Sequence, residues 1–211
     1  LKLADGLQKQ AERFGAEIRL GEVLKIEDEG EYKKLETTDG DIYAQAVLIA
    51  TGSDYKKLGI PGEAEYYARG VHYCATCDGA FYRDKHLVVV GGGNSAAQEA
   101  LFLTRYATKI DLLVRSKLKA SDVLIKELEK NEKITIHLGT TTDEIVGKDG
   151  MVVRVVGTKD GVKTDFPTDG VFVFVGLLPN TQFLESSKIK LDDIGLIKTD
   201  QHLQTNLPGV F

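Results

Sequence analysis

Leu87-Val88-Val89-Val90-Gly91-Gly92-Gly93-Asn94-Ser95-Ala96 decides how the chain folds. An apolar, valine-rich run suits a buried strand, and with Lys85 and His86 the pattern predicts one over 85–90. The glycines then give way to Ala96, Ala97, Ala100, Leu101 and Leu103, a packing stripe that predicts a helix over 94–106. Strand, glycine turn and helix in that order is the context in which Gly91-x-Gly93-x-x-Ala96 binds a dinucleotide. Gly91 permits the tight turn, Gly93 lets backbone approach a pyrophosphate, and Ala96 fits where helix meets strand. The helix N-terminus offers unpaired N–H groups and partial positive charge to phosphates. A glycine turn that holds no ligand reads the same way in sequence.

Downstream, the next strand over 109–114 runs into Arg115-Ser116-Lys117-Leu118-Lys119. An NAD site places a carboxylate at the end of this strand to accept from the ribose hydroxyls. Here three cations stand instead, and Arg115, Ser116 and Lys117 or Lys119 suit a 2′-phosphate. Asp111 falls earlier and reads as a residue of the strand. The alternative is a solvated basic loop.

Upstream lies Val71-His72-Tyr73-Cys74-Ala75-Thr76-Cys77-Asp78-Gly79, which holds both cysteines of the chain. In C-x-x-C one thiolate can be stabilised while its partner resolves a mixed disulfide, so the pair stores two electrons. Asp78 is placed to trade a proton with a nascent thiolate. Three other readings stay open: two small buried hydrophobes, half of a zinc site with His72, or a structural disulfide. A dithiol beside a nucleotide turn suggests electrons passing from a dinucleotide to sulfur.

Around this centre the pattern is α/β with a mostly parallel sheet. A helix is predicted over 1–14, with Leu3, Leu7, Ala11 and Phe14 on one face and Gly15 as its stop. Short strands over 17–20, 22–28 and 32–37 read as an antiparallel meander, and Ala46–Ala50 as a buried strand. Past the basic loop, a helix capped by Ser121 runs to about Lys130, followed by strands over 133–138, 144–146, 151–157 and 171–175, the last ending at Gly176. Each half thus shows a meander followed by an apolar strand that stops at a glycine, Gly52 or Gly176. Arg69-Gly70 reads as a hinge.

The chain has 211 residues, enough for one or two domains, and 42% hydrophobic content supports a core. A net charge of −5 points away from nucleic acid and acidic membrane surfaces. No apolar run approaches the roughly 20 residues that span a bilayer, and the opening residues read as a helix, so no signal peptide is expected. Two cysteines are too few for a secreted disulfide framework, so a cytoplasmic protein is expected. The abrupt ends at Leu1 and Phe211 are read as those of a fragment.

Cys74-Ala75-Thr76-Cys77-Asp78-Gly79, Gly91–Ala96 and Gly176-Leu177-Leu178-Pro179-Asn180-Thr181 together resemble the bacterial low-molecular-weight thioredoxin reductases. Ala50-Thr51-Gly52, Ile60-Pro61-Gly62-Glu63 and the closing Leu207-Pro208-Gly209-Val210-Phe211 match as well, so the resemblance covers the whole chain. It implies a homodimeric flavoenzyme with two Rossmann-like three-layer domains carrying antiparallel meander insertions: a partial FAD domain over 1–69 and 193–211, and a complete NADPH domain over 70–192. It implies that Cys77 faces the flavin, Cys74 exchanges with thioredoxin and Asp78 is the acid/base. Ala50, Thr51, Gly52 and Val23 would lie near FAD, and the hinges would be Arg69-Gly70 and the turn near Asp192–Gly195. Two departures stand out. The family's N-terminal glycine loop and its C-terminal Gly-Asp segment lie outside this sequence. In the family's H-R-R-x-x-x-R, Arg115 matches, Ser116 replaces the second arginine and Lys119 stands roughly for the last. Those departures leave two alternatives: another donor such as a ferredoxin, or another acceptor such as a peroxiredoxin or glutaredoxin-like protein. A flavin-less redox sensor is a third.

Overall fold

A computed structural model of the chain describes residues 2–211, so the predicted helix start at Leu1 lies outside the described residues. The elements run α1 (Lys2–Arg13), β1 (Val23–Glu29), β2 (Tyr32–Thr37), β3 (Gly40–Ala44), β4 (Ser53–Tyr55), β5 (Val71–His72), α2 (Ala75–Asp78), β6 (His86–Val90), α3 (Asn94–Leu103) and β7 (Lys109–Val114). They continue with α4 (Asp122–Lys130), β8 (Ile134–Leu138), β9 (Thr140–Lys148), β10 (Met151–Lys159), β11 (Val162–Pro167), β12 (Gly170–Val173) and β13 (Leu177–Pro179). Short 3-10 turns follow α2 at Gly79–Tyr82 and β13 at Gln182–Leu184. β4 pairs with β13 in a two-strand ribbon. The fold is mixed α/β, as expected.

The chain divides into two compact units, Asp54–Leu178 and Leu1–Ser53 with Pro179–Phe211. In the first, five parallel strands lie in the order β5-β12-β6-β7-β8. Alternation along each strand sends side chains to opposite faces. Leu87, Val89, Ile110, Leu112, Val114 and Phe172 meet Ala96, Ala97, Ala100, Leu103 and Leu128 of α3 and α4. Val88, Val90, Leu113, Val171 and Val173 meet Ile145, Val152, Val155 and Phe166 of the antiparallel β9-β10-β11 meander. The unit is thus a three-layer sandwich of helices, sheet and meander. Each fully buried Val, Leu or Phe contributes about 1.5–3 kcal/mol.

Residues 54–69 pack with this unit, whose edges fall at Ser53/Asp54 and Leu178/Pro179; the resemblance implied domain bounds at 69/70 and 192/193. The reason is local. The Glu63 carboxylate, 4% exposed, accepts from the backbone N–H of Leu58 (2.8 Å) and Gly59 (2.7 Å) and from the Tyr73 hydroxyl (2.7 Å). Leu58, Ile60 and Tyr66 pack against the meander-side core. Gly62, at φ 83°, runs so close to β9 that a Cβ would stand 1.9 Å from the carbonyl oxygen of Ile145.

The other unit holds the antiparallel β1-β2-β3 meander and a smaller core of Ile26, Val47, Leu184, Ile189, Leu207 and Val210. Two sequence expectations differ here. Residues 17–20 form no strand; among the described residues they pair with no strand, and all are exposed, Leu20 at 92%. The meander's third strand is instead β3. Ala46–Ala50 is not a buried strand: Val47 bridges to Val210, while Leu48 is 74% exposed. Among the described residues its backbone ladder runs along one edge: Val47 and Ile49 N–H donate to the carbonyls of Gly209 and Phe211, both at 2.8 Å, and Phe211 N–H donates back to Val47 O at 2.9 Å. The α1 helix forms, but its apolar stripe is unpacked, with Leu3, Leu7 and Phe14 all exposed.

Candidate functional site

The glycine turn sits at the C-terminal end of the parallel sheet, beneath a cleft of about 530 Å³, within the size range of small-molecule sites. The cleft is lined by Gly91, Gly92, Gly93, Asn94 and Ser95, by Arg115, Ser116, Lys117 and Lys119, and by Gly176. Residues 85 positions apart in sequence therefore meet at one place, because β12 lies beside β6 and β7 on its other side. Gly91 is at φ 143°, and a Cβ there would stand 2.2 Å from the Phe174 carbonyl oxygen and 2.8 Å from Ala96 Cβ. Ala96 is buried under the turn, as its small side chain requires. At Gly92 a Cβ would meet Val114. At Gly93 it would meet nothing within 4 Å, so the space above the turn is open to an incoming group.

Gly93 caps α3 with no side-chain bond to its first amides. The Asn94 side chain is engaged elsewhere, accepting from Ser121 N–H at 2.8 Å. Those amides leave a partial positive charge at the cleft floor. Among the described residues, Arg115, Lys117 and Lys119 make no ion pair, and all three are exposed. The donor set thus fits a polyphosphate: N–H groups below, cations at the strand end. Asp111 is not part of it. It lies mid-strand, 3% exposed, bonded by His86 (2.7 Å), His137 (2.8 Å) and Lys109 (3.1 Å). Leu58, Ile60 and Thr140–Thr142 also line the cleft. Nothing in their local sequence signals this, since they reach it through the folding of the 54–69 segment and β9.

The second feature of this unit is the sulfur pair. Cys74 and Cys77 form a disulfide with Cα atoms 5.3 Å apart. Cys74 caps the single turn of α2, and its Sγ accepts from Cys77 N–H at 3.2 Å. Cys77 is exposed and Cys74 half-buried. Asp78 N–H is bonded to Cys74 O at 3.1 Å, which closes the backbone turn that carries both sulfurs. The Asp78 Oδ2 lies 3.0 Å from His72 Nδ1, and His72 Nε2 lies 2.6 Å from the Tyr82 hydroxyl. Both ring nitrogens of His72 are thereby engaged, which leaves none for the zinc reading. Sequence reasoning weighed His72 only as a metal ligand and passed over Tyr82, since a contact ten residues apart has no periodic signature.

The residues assigned to flavin lie in the other unit. Thr51 Oγ1 donates to Asn180 O at 2.7 Å, Asn180 Nδ2 returns a bond to Thr51 O at 3.2 Å, and Asn180 N–H bonds Gly52 O at 3.0 Å. Gly52 takes φ 67°, which favours glycine there. Ala50 is exposed beside this clasp, and Val23 begins β1 against the small core.

Comparison with known proteins places the chain. Residues 3–211 match the family model for the pyridine nucleotide-disulphide oxidoreductases. A thioredoxin reductase of Listeria monocytogenes is 43% identical over 213 residues, covering 99% of this chain and 66% of that protein. One from Bacillus subtilis is 40% identical, over 100% of this chain and 67% of that protein. The crystal structure of Lactococcus lactis thioredoxin reductase superposes with a TM-score of 0.80 at 41% identity, covering all of this chain and 70% of that one. The chain thus spans about two thirds of the length of these relatives. No helix among the described residues is long and apolar enough to cross a membrane. With a dinucleotide turn and a C-x-x-C disulfide in one unit, the chain belongs to the pyridine nucleotide-disulphide oxidoreductase family.

Proposed function

We propose that the protein containing this chain is a thioredoxin-disulfide reductase, passing electrons from NADPH to the Cys74–Cys77 pair and on to thioredoxin. The observation that carries this is one unit holding both ends of the relay: a phosphate-ready cleft with free cations and a disulfide with an acid beside it. The amides at the start of α3 take the pyrophosphate, and Arg115, Lys117 and Lys119 take the 2′-phosphate that distinguishes NADPH from NADH. FAD, when bound, supplies the two-electron relay between nicotinamide and sulfur; Ala50, Thr51, Gly52 and Val23 are its expected neighbours here.

At the sulfurs the chain's own groups do the work. Cys74, backed by the Cys77 N–H, is the attacking thiolate once the pair is reduced. Asp78 takes and returns the proton, and Cys77 resolves the mixed disulfide. A homodimer in the cytoplasm completes the reading. The test is full-length protein with NADPH and thioredoxin, followed by loss of NADPH absorbance. Cys74→Ser is expected to abolish thioredoxin reduction. Undiminished turnover in that variant, or equal rates with NADH, sinks the reading.

A further inference from the structure

Asp78 is held from behind. His72, 8% exposed, has its ring stacked on Phe172 at 5.2 Å, and Tyr82 meets both rings edge-on. Because an ionised carboxylate only accepts, the Nδ1 facing Asp78 carries the hydrogen, and Nε2 accepts from the Tyr82 O–H. Burial pushes the Tyr82 phenol up to about 12, with the charges of Asp78 and Asp169 adding to it, so it stays a donor at neutral pH. Asp169 is the other charged group near this cluster; it is itself tied to Lys85 at 3.4 Å and to His86 N–H at 2.9 Å.

We propose that His72 is a positioning residue for the acid–base work of Asp78, with the Tyr82–His72–Asp78 chain orienting the carboxyl and setting the pH range over which the dithiol exchanges. This rests on reading Cys74–Cys77 as a working redox pair. In that exchange the Cys74 thiolate attacks a disulfide, a new S–S bond forms, and the first acceptor sulfur leaves as thiolate and takes a proton from water. Cys77 gives its proton to Asp78, attacks the mixed disulfide and closes Cys74–Cys77. The second acceptor sulfur leaves and takes the proton from Asp78. The pair is oxidised by two electrons and the acceptor reduced by two. A carboxyl left to swing freely on a partly exposed turn would be in line for only part of the time; the buried ring behind it removes that freedom.

The test uses full-length protein reduced with dithiothreitol, freed of it, and mixed with the aromatic disulfide dithiobisnitrobenzoate, with neither NADPH nor thioredoxin present. Release of the second coloured thiolate, the one expelled when Cys77 gives its proton to Asp78 and closes Cys74–Cys77, is followed across the neutral pH range; with this probe the proton passes from Asp78 to water. Asp78→Asn is expected to slow exchange by about 10²-fold, the scale of a lost general acid–base group. His72→Phe slows it by about tenfold and flattens the pH profile. His72→Asn, whose amide N–H can stand in for Nδ1–H, recovers most of the rate but not the profile. The His72→Phe, Asp78→Asn double variant is no slower than Asp78→Asn alone, because the two act as a unit. An unchanged profile in His72→Phe, an equal loss in His72→Asn, or multiplying losses in the double variant overturns the proposal. If His72→Phe does not fold by circular dichroism, Tyr82→Phe replaces it, with a several-fold slowing expected and no change overturning. Lost thioredoxin turnover with these exchange results intact would sink the proposed function and leave this inference standing.

Discussion

Gly170–Val173 and Ala46–Ala50 are both short apolar runs that lead to a glycine, and only the first becomes a strand of a sheet. β12 has β5 on one side and β6 on the other, helices below and a meander above, and all its residues are buried. Among the described residues Ala46–Ala50 pairs with Gly209–Phe211 alone, and Leu48 is exposed. The difference teaches that an apolar run specifies a strand only together with its neighbours. Hydrogen-bond groups on both edges and cover on both faces decide the outcome, and neither is written in the run itself.

Substitution at matched positions should make that contrast largest. Phe172→Ala is expected to lose about 3–5 kcal/mol of stability, the range for emptying a buried aromatic site. In this chain, which spans about two thirds of its relatives' length, Leu48→Ala is expected to stay within about 0.5 kcal/mol, as at an exposed position. Urea melts measure both, and similar losses would break the comparison. The glycines provide a second, smaller contrast. Gly91→Ala forces a side chain at φ 143° against a backbone carbonyl, so about 1–3 kcal/mol of stability should go. Gly93→Ala has open space around it. It should leave the melting curve nearly unchanged while weakening NADPH binding about tenfold, a change of about 1.4 kcal/mol in binding free energy. A Gly93→Ala chain that binds NADPH normally would take the pyrophosphate away from this turn.

The smallest effect concerns acid. Burial alone would raise the Asp111 carboxyl, but hydrogen bonds from His137, Lys109 and His86 outweigh it and hold the group below its ordinary value. The unfolded chain then takes up this proton before the native state does as pH falls. Its contribution is therefore complete above about pH 4 and is lost as pH drops through the native value. Asp111→Asn should cost about 1 kcal/mol at neutral pH, the scale of a net hydrogen bond. The gap from the parent should close in strong acid; a gap that persists there contradicts the assignment.

The parallel sheet, the turn at Gly91 and the cations after β7 were legible because each is a local pattern with one physical reading. A strand, glycines and a helix must follow in that order, and the cations must sit where the strand ends. The packing of segment 54–69 had no local signature, because it is set by Glu63, whose partner Tyr73 lies across a turn. β11 went unread because half of Val162–Pro167 is polar and the strand owes its place to pairing with β10. His72 and Tyr82 were opaque for a related reason: their roles come from a stack on Phe172, a hundred residues away in the chain.

Lys56 N–H bonds the carbonyl of Gly176 at 3.0 Å, so the unit over Asp54–Leu178 begins and ends at one spot. A piece of chain whose ends already touch spends little entropy on being looped out of a host. It should survive excision, with its two cut ends joined by a few flexible residues, and keep both its dithiol and its nucleotide cleft. Such a piece is transplantable: a lineage could insert it into a surface loop of an unrelated carrier and gain a redox head in a single genetic event.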